Sequence, residues 1–303
     1  MKTSDWLRLI GLSIMLGGTF FFQSVAVRTI PPLTITLCRV FFAAVVFWLL
    51  ILVTRQRMPR DRRTWGSFFV MGLLNNVLPF CLITWEQTHV EGGVASIINA
   101  STACFTVVLA HFLTRDEKLS IRKVVGVAVG FLGVYVLLRP ELDGGVSMRG
   151  FGELAGLGAA LSLALAAIYG KRFKVQATLV TATGMLTCSS LIMLPLAMVI
   201  DRPWTVVTTV GDAGAVAGLV LFSTVVAYVL YFGLLRSAGA SNLLLATLLV
   251  PFSAHILGSV FMAEPLYVSS VLGMVCIVLG LSIIDGRLMA RLRRVRAAGE
   301  GRT

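Results

Sequence analysis

Long apolar runs broken by short charged linkers occupy the chain almost from end to end. A membrane-crossing helix needs about 20 predominantly apolar residues. Ten segments meet that length: 7–27, 31–53, 66–86, 93–113, 121–138, 151–170, 178–200, 213–235, 240–262 and 268–285. The runs are continuous and do not alternate with a period of two, so the pattern predicts helices and not barrel strands. The expected fold class is an all-α integral membrane protein with ten transmembrane helices, whose short connections leave no room for a separate soluble domain. No small-x-small cleavage site follows the first run, so it is expected to stay as a span and not be removed as a signal peptide.

Composition agrees. Of 303 residues, 57% are hydrophobic and 13% charged, where a soluble domain carries about 25% charged residues. The net charge of +12 would suit nucleic acid only if it formed one basic, aromatic-rich face. Here it is spread over the linkers and the tail, which predicts lipid headgroups as the partner and no nucleic acid. With the N-terminus inside, 21 of the 26 Lys and Arg fall on the cytoplasmic side, and Arg28, Arg139, Arg149 and Arg202 fall opposite. That imbalance predicts a multi-pass protein of the cell (inner) membrane with both termini cytoplasmic. The tail after Asp285 reads either as a short interfacial helix carrying Leu288, Leu292 and Val295 or as a solvated basic stop-transfer segment. The five cysteines all lie inside apolar runs without a Cys-x-x-Cys pair, and read as small core residues.

A shift of 147 positions pairs Phe105 with Phe252, Glu117 with Glu264, Leu119 with Leu266, Val124 with Val271, Gly126 with Gly273, Leu132 with Leu279 and Gly133 with Gly280. The expected organisation is a first five-helix repeat over 1–145, a second over 146–286, and a basic cytoplasmic tail over 287–303. Five spans is an odd number, so the second repeat is inverted in the membrane. Inverted repeats around a midplane site are a mark of alternating-access transporters.

The arginine early in span 2 ("LCRVFFAA"), "GLLRSAGASNLLLATLLVPF" leading into span 9, and the Glu-x-Leu turns after spans 4 and 9 together resemble EamA-type transporters of the drug/metabolite transporter superfamily. The resemblance implies a basket in which spans 1, 3, 4, 6, 8 and 9 enclose a central cavity while spans 5 and 10 lie outside. It also implies export of metabolites, amino acids among them. The chain departs from the pattern at Ala103-Cys104, where a proline is common, and at "WEQTHVEGG", where small apolar residues are usual. The expected function is a secondary transporter exporting small amphipathic metabolites, foremost large neutral or aromatic amino acids. The alternatives are other metabolites or drugs, or a channel. No metal or cofactor motif and no His-Glu-x-x-His, Gly-x-Ser-x-Gly or Gly-x-Gly-x-x-Gly pattern occurs, so an enzyme is not expected. A monomer or weak dimer is expected, with "GVAVG", "GELAG" and "GAVAG" as close-packing or dimer-contact sequences.

Ten residues are candidates for substrate contact. Arg39 lies seven residues after Pro32, about 10 Å into the bilayer, on a face with Thr36 and Ala43 that should point into the bundle. It reads either as a structural clamp on a neighbouring helix or as the partner of a substrate carboxylate. The clamp is favoured because the resemblance leaves span 2 outside the cavity. Asn76 and Pro79 form a polar patch at a kink, since Pro79 frees the Asn75 carbonyl, or else Asn76 makes a helix-to-helix hydrogen bond. Asn99 and Thr102 in span 4, Ser223 and Tyr228 in span 8, and Pro251 with His255 in span 9 are placed at the same cavity. His255 also reads as a packed hydrogen-bonder or a proton carrier. Phe20, beside Gly17 and Gly18, would cover an apolar substrate. No Asp or Glu lies at a span centre, and Glu86 and Glu91 read as span-end residues, which predicts flux with no strict need for a sodium or proton gradient.

Overall fold

The computed structural model describes residues 3–114, 119–143, 147–173, 177–228, 230, 234 and 240–285. The basic tail, Glu117 and Arg236 lie outside them. Among the described residues the chain forms ten helical segments: α1 (Thr3–Ala26), α2 (Pro32–Val53), α3 (Arg62–Glu86), α4 (Gly92–Leu113), α5 (Ile121–Asp143), α6 (Met148–Gly170), α7 (Thr178–Ile200), α8 (Val210–Val226), α9 (Ala240–Met262) and α10 (Val268–Asp285). Eight helices are long and apolar enough to cross a membrane, and two shorter apolar helices fall in the eighth and ninth positions. The outward faces carry large apolar side chains such as Leu52, Phe112, Leu191, Val199 and Val260, as a surface solvated by lipid requires.

Local chemistry sets the helix ends. Pro31 and Pro32 open α2, where a missing amide costs nothing. Asp61 caps α3 by accepting the Thr64 amide at 2.8 Å, and those hydrogen bonds hold its carboxyl below the usual range. Thr209 and Asp212 form a capping box at the start of α8. At the end of α9, Ala263 takes a left-handed φ of 54°, and the Glu264 amide turns back to the Gly258 carbonyl at 3.2 Å.

The packing has the exchange symmetry that two inverted halves require. Helices α2 and α7, α4 and α9, and α5 and α10 pack as pairs, while α1 packs on α9 as α6 packs on α4, and α3 on α6 as α8 on α1. The α5–α10 seam shows it most closely. A β-carbon placed on Gly126 would stand 2.7 Å from the Gly280 carbonyl oxygen, and one on Gly280 would stand 2.5 Å from that of Gly126. The Gly133–Gly273 crossing is equally reciprocal, at 2.7 and 2.9 Å. Between apolar helices in lipid, such backbone approach replaces the hydrophobic driving force available in water.

The other small residues act within the chain too. Gly17 admits Ser253 and Ala254 of α9, Gly218 admits the Phe22 ring, and Gly152 and Gly156 admit the end of α3, while Gly214 meets nothing within 4 Å. The three consecutive phenylalanines diverge. Phe20 is buried, Phe21 lies 5.6 Å from the Phe261 ring, and Phe22 stacks 6.4 Å from Phe222.

Candidate functional site

Both α3 and α8 widen by a π turn at corresponding points. In α3 the turn spans Leu73–Val77, with the Leu78 amide bonded to the Leu73 carbonyl, just ahead of Pro79. In α8 it spans Leu221–Val226, with the Ala227 amide reaching Phe222, and no proline is involved. The 147-residue shift that relates the halves carries Asn76 onto Ser223 and Val77 onto Thr224, so each repeat places polar groups at the same wide turn. Such turns recur at functional sites.

The two π turns face a cavity of about 550 Å³, within the range of small-molecule sites. Its walls are largely apolar, from Leu12, Leu16, Met71, Phe80, Met185 and Leu186, with polar groups supplied by Asn75, Asn76, Thr178, Thr181, Ser223, Thr224 and Tyr228. Arg39 is the one formally charged side chain among its lining residues.

Arg39 is 8% exposed. Its Nε donates to Thr224 Oγ1 at 3.4 Å, and its guanidinium carbon stands 3.9 Å from the Phe80 ring centroid. Tyr228 is close enough to interact with it electrostatically. Among the described residues no carboxylate pairs with it. The face expected to point inward does so, since Thr36, Arg39 and Ala43 are all buried.

Asn76 combines a helix-to-helix hydrogen bond with a place on the cavity wall. Its amide donates to Ser189 Oγ on α7 at 3.0 Å and receives Asn75 Nδ2 on its oxygen at 3.1 Å, while the residue lines the cavity. Ser223 is 3% exposed and its hydroxyl has no partner.

The other six candidates are not among the residues that line this cavity. Phe20 packs into an apolar cluster with Ile83, Ala95, Ala159, Val250 and Ala254. Pro79 is buried one residue before the lining Phe80 and shapes the π turn without facing the cavity. Helix α4 breaks at Ser101, where the Ser101 and Thr102 hydroxyls bond back to the Ile98 and Asn99 carbonyls at 2.6 and 2.7 Å. Thr102 thereby spends its hydroxyl on its own helix, and Asn99 lies beside that break. Pro251 is buried inside α9. His255 is 8% exposed and fills the space left by the missing side chain of Gly93 on α4.

The cavity runs from Arg39 and Phe80 toward the Gly170, Phe173 and Thr178 end of the bundle. The opposite end is laced shut. Gln23 donates to Thr84 at 2.8 Å, and Gln87 to both the Phe20 carbonyl and Ser24 at 2.9 Å. Asp201 on α7 accepts from the Thr34 amide at 2.7 Å. The Glu264 carboxylate accepts the Gly92 and Gly93 amides at 3.1 Å each, closing the α9 turn onto the start of α4.

A cavity open toward one end of a two-fold bundle is transporter geometry, and comparison with known proteins decides the lineage. The profile of the EamA-like transporter family matches residues 6–139 and again 150–284. The chain belongs to the EamA-like transporter family. It is 25% identical over 276 residues to the uncharacterized transporter YoaV of Bacillus subtilis (strain 168), covering 91% of this chain and 94% of that one. It is 23% identical over 252 residues to the uncharacterized inner membrane transporter YedA of Escherichia coli (strain K12), covering 83% and 80%. A crystal structure at 18% identity superposes with a TM-score of 0.66, covering 94% of this chain and 98% of that one, and shares the fold.

Within this EamA chain the cavity wall differs from the one implied by resemblance. The described lining comes from α1, α2, α3, α6, α7 and α8, which adds α2 and α7 to the helices expected there. Arg39 lies in the cavity wall. Thr181, Met185 and Thr224 also line the cavity. No sequence signal marks the first two, whereas Thr224 follows directly from the shift that aligns the two wide turns.

Proposed function

We propose that this EamA transporter exports small amphipathic metabolites that carry a carboxylate, with large neutral or aromatic amino acids as the substrate class, by alternating access across the cell (inner) membrane. One observation carries the reading: a single buried arginine, without a carboxylate partner among the described residues, on the wall of a largely apolar cavity. A buried cation is retained where an anion compensates it, and the planar guanidinium fork matches a carboxylate. Apolar walls of Leu12, Leu16, Met185 and Leu186 suit an apolar body attached to that carboxylate.

The reading takes 1–145 and 146–286 as the moving halves, supported by the two family matches and by the reciprocal glycine crossings. It takes both termini as cytoplasmic, supported by the distribution of Lys and Arg. On that orientation the cavity opens inward and the laced end is the outer gate. The protein acts as a monomer or weak dimer.

Counterflow tests the reading. Proteoliposomes holding the purified protein and loaded with unlabelled phenylalanine or leucine should transiently accumulate labelled phenylalanine, as a saturable carrier does. Flux that rises linearly with concentration and shows no counterflow would indicate a channel, and no flux of any neutral amino acid would reject the substrate class.

A further inference from the structure

The outer end of α3 holds a carboxylate that the cavity does not use. Glu86 is 0% exposed, and neither of its carboxylate oxygens has a hydrogen-bond partner. It lies in a groove on α6 made by the absence of side chains. The Glu86 carbonyl faces Gly152, and its carboxylate occupies the place a β-carbon on Gly156 would take. Between those glycines stands Glu153, 1% exposed, which repels Glu86 electrostatically.

The surrounding charges do not neutralise it. From α6, Arg149 pairs with Glu91 at 2.9 Å and reaches Glu153 at 3.5 Å. From the loop, His89 is engaged with the Thr88 hydroxyl at 2.6 Å and lies against the Trp85 ring. On the α9–α10 side Tyr267 donates to Glu91 at 3.4 Å, Glu264 is held by the Gly92 and Gly93 amides, and His255 lies against Gly93. From α2, Arg39 stands over Phe80, six residues back along α3. A buried carboxylate with neither cation nor donor pays the full cost of desolvation, which a bound proton removes.

We propose that Glu86, with Glu153 beside it, is a proton-binding site: Glu86 holds one proton while α3 and α6 are closed and releases it to water as they part. The step is a bare proton transfer, in which the Glu86 O–H bond breaks, the electron pair stays on the carboxylate and water at the opened seam takes the proton. As part of the transport cycle this rests on the proposed alternating access, with the outer gate as the seam that opens. It runs against the ion-independent flux expected from a chain with no carboxylate at a span centre. Glu86 is at a span end by sequence, and α6 covers it in the fold.

Infrared difference spectroscopy of the purified full-length protein across a pH jump reads the proton without needing a substrate. The wild type should show a protonated-carboxyl band that is lost as pH rises, Glu86→Gln should lack it, and Glu153→Gln should lose it at lower pH than the wild type does. A charged Glu153 opposes ionisation of Glu86, so removing that negative charge lets Glu86 release its proton at lower pH. Glutamine copies a neutral acid in size and charge, so Glu86→Gln should fold. A stable Glu86→Gln protein that keeps the band, a Glu86→Gln variant that cannot fold, or a Glu153→Gln band that persists to higher pH would each overturn the proposal. Counterflow of phenylalanine, measured separately at fixed pH, distinguishes failure of the transport reading from failure of the proton site.

Discussion

The guanidinium of Arg39 lies 3.9 Å from the centroid of the Phe80 ring, a contact that joins α2 to the stretch of α3 just past its π turn. It holds the one charged side chain among the described lining residues against an aromatic face, with Nε on Thr224 and no carboxylate partner among the described residues. Cation–aromatic contacts of this kind are worth about 0.5–2 kcal/mol, enough to orient the fork without neutralising it.

Replacing Arg39 by Gln should therefore lower counterflow of carboxylated substrates by about 10- to 100-fold, the loss of one charge-assisted hydrogen-bond set worth about 1.5–3 kcal/mol. Arg39→Lys should recover part of it, since the charge returns without the planar fork. Decarboxylated amine analogues should lose least. Equal loss for acids and amines in a protein of wild-type melting temperature would show that Arg39 does not meet the carboxylate.

The glycine seam predicts a paired result in thermal stability. Gly126→Ala and Gly280→Ala should each lower the melting temperature in detergent, as should Gly133→Ala and Gly273→Ala, because each added methyl meets backbone carbonyl at under 3 Å. Overpacking of this kind costs about 1–3 kcal/mol. Gly214→Ala, with nothing within 4 Å, should be neutral or stabilising, since alanine is favoured over glycine in a helix by about 1 kcal/mol.

The sequence made the number of spans, their approximate limits and the exchange of halves readable, because apolar length and the recurrence of Gly126 and Gly133 at Gly273 and Gly280 are local properties. It also picked Arg39, Asn76, Ser223 and Tyr228 as polar groups within the apolar runs, and all four line the cavity. What it missed depends on helix rotation. Neither π turn is visible in the apolar pattern, and only Pro79 hinted at one of the two. Glu86 shows the same limit, since its depth comes from Gly152 and Gly156 on a helix distant in sequence.

Glu264 caps two amides of α4 from the turn after α9. Glu264→Ala should lower the melting temperature, with hydrogen bonds to a charged group worth about 1.5–3 kcal/mol each. Glu264→Gln should recover part of the loss through its remaining oxygen. Unchanged melting in Glu264→Ala would mean this end of the bundle is held by its other contacts.

Single cysteines at Arg60 and Leu266, both exposed, in a background without native cysteines, should react with a membrane-impermeant thiol reagent from opposite sides of the membrane. Labelling from one side would contradict the inverted arrangement of the halves.

The central claim is that the cavity between the two π turns is the transport site. The most direct measurement is phenylalanine counterflow by Ser223→Trp, which fills the cavity beside Arg39, against His255→Ala, which alters a buried residue outside it, both at wild-type melting temperature. The account predicts that Ser223→Trp abolishes counterflow while His255→Ala retains it. Wild-type counterflow in Ser223→Trp, or its loss in His255→Ala alone, would contradict the account and move the transport site toward α4 and α9.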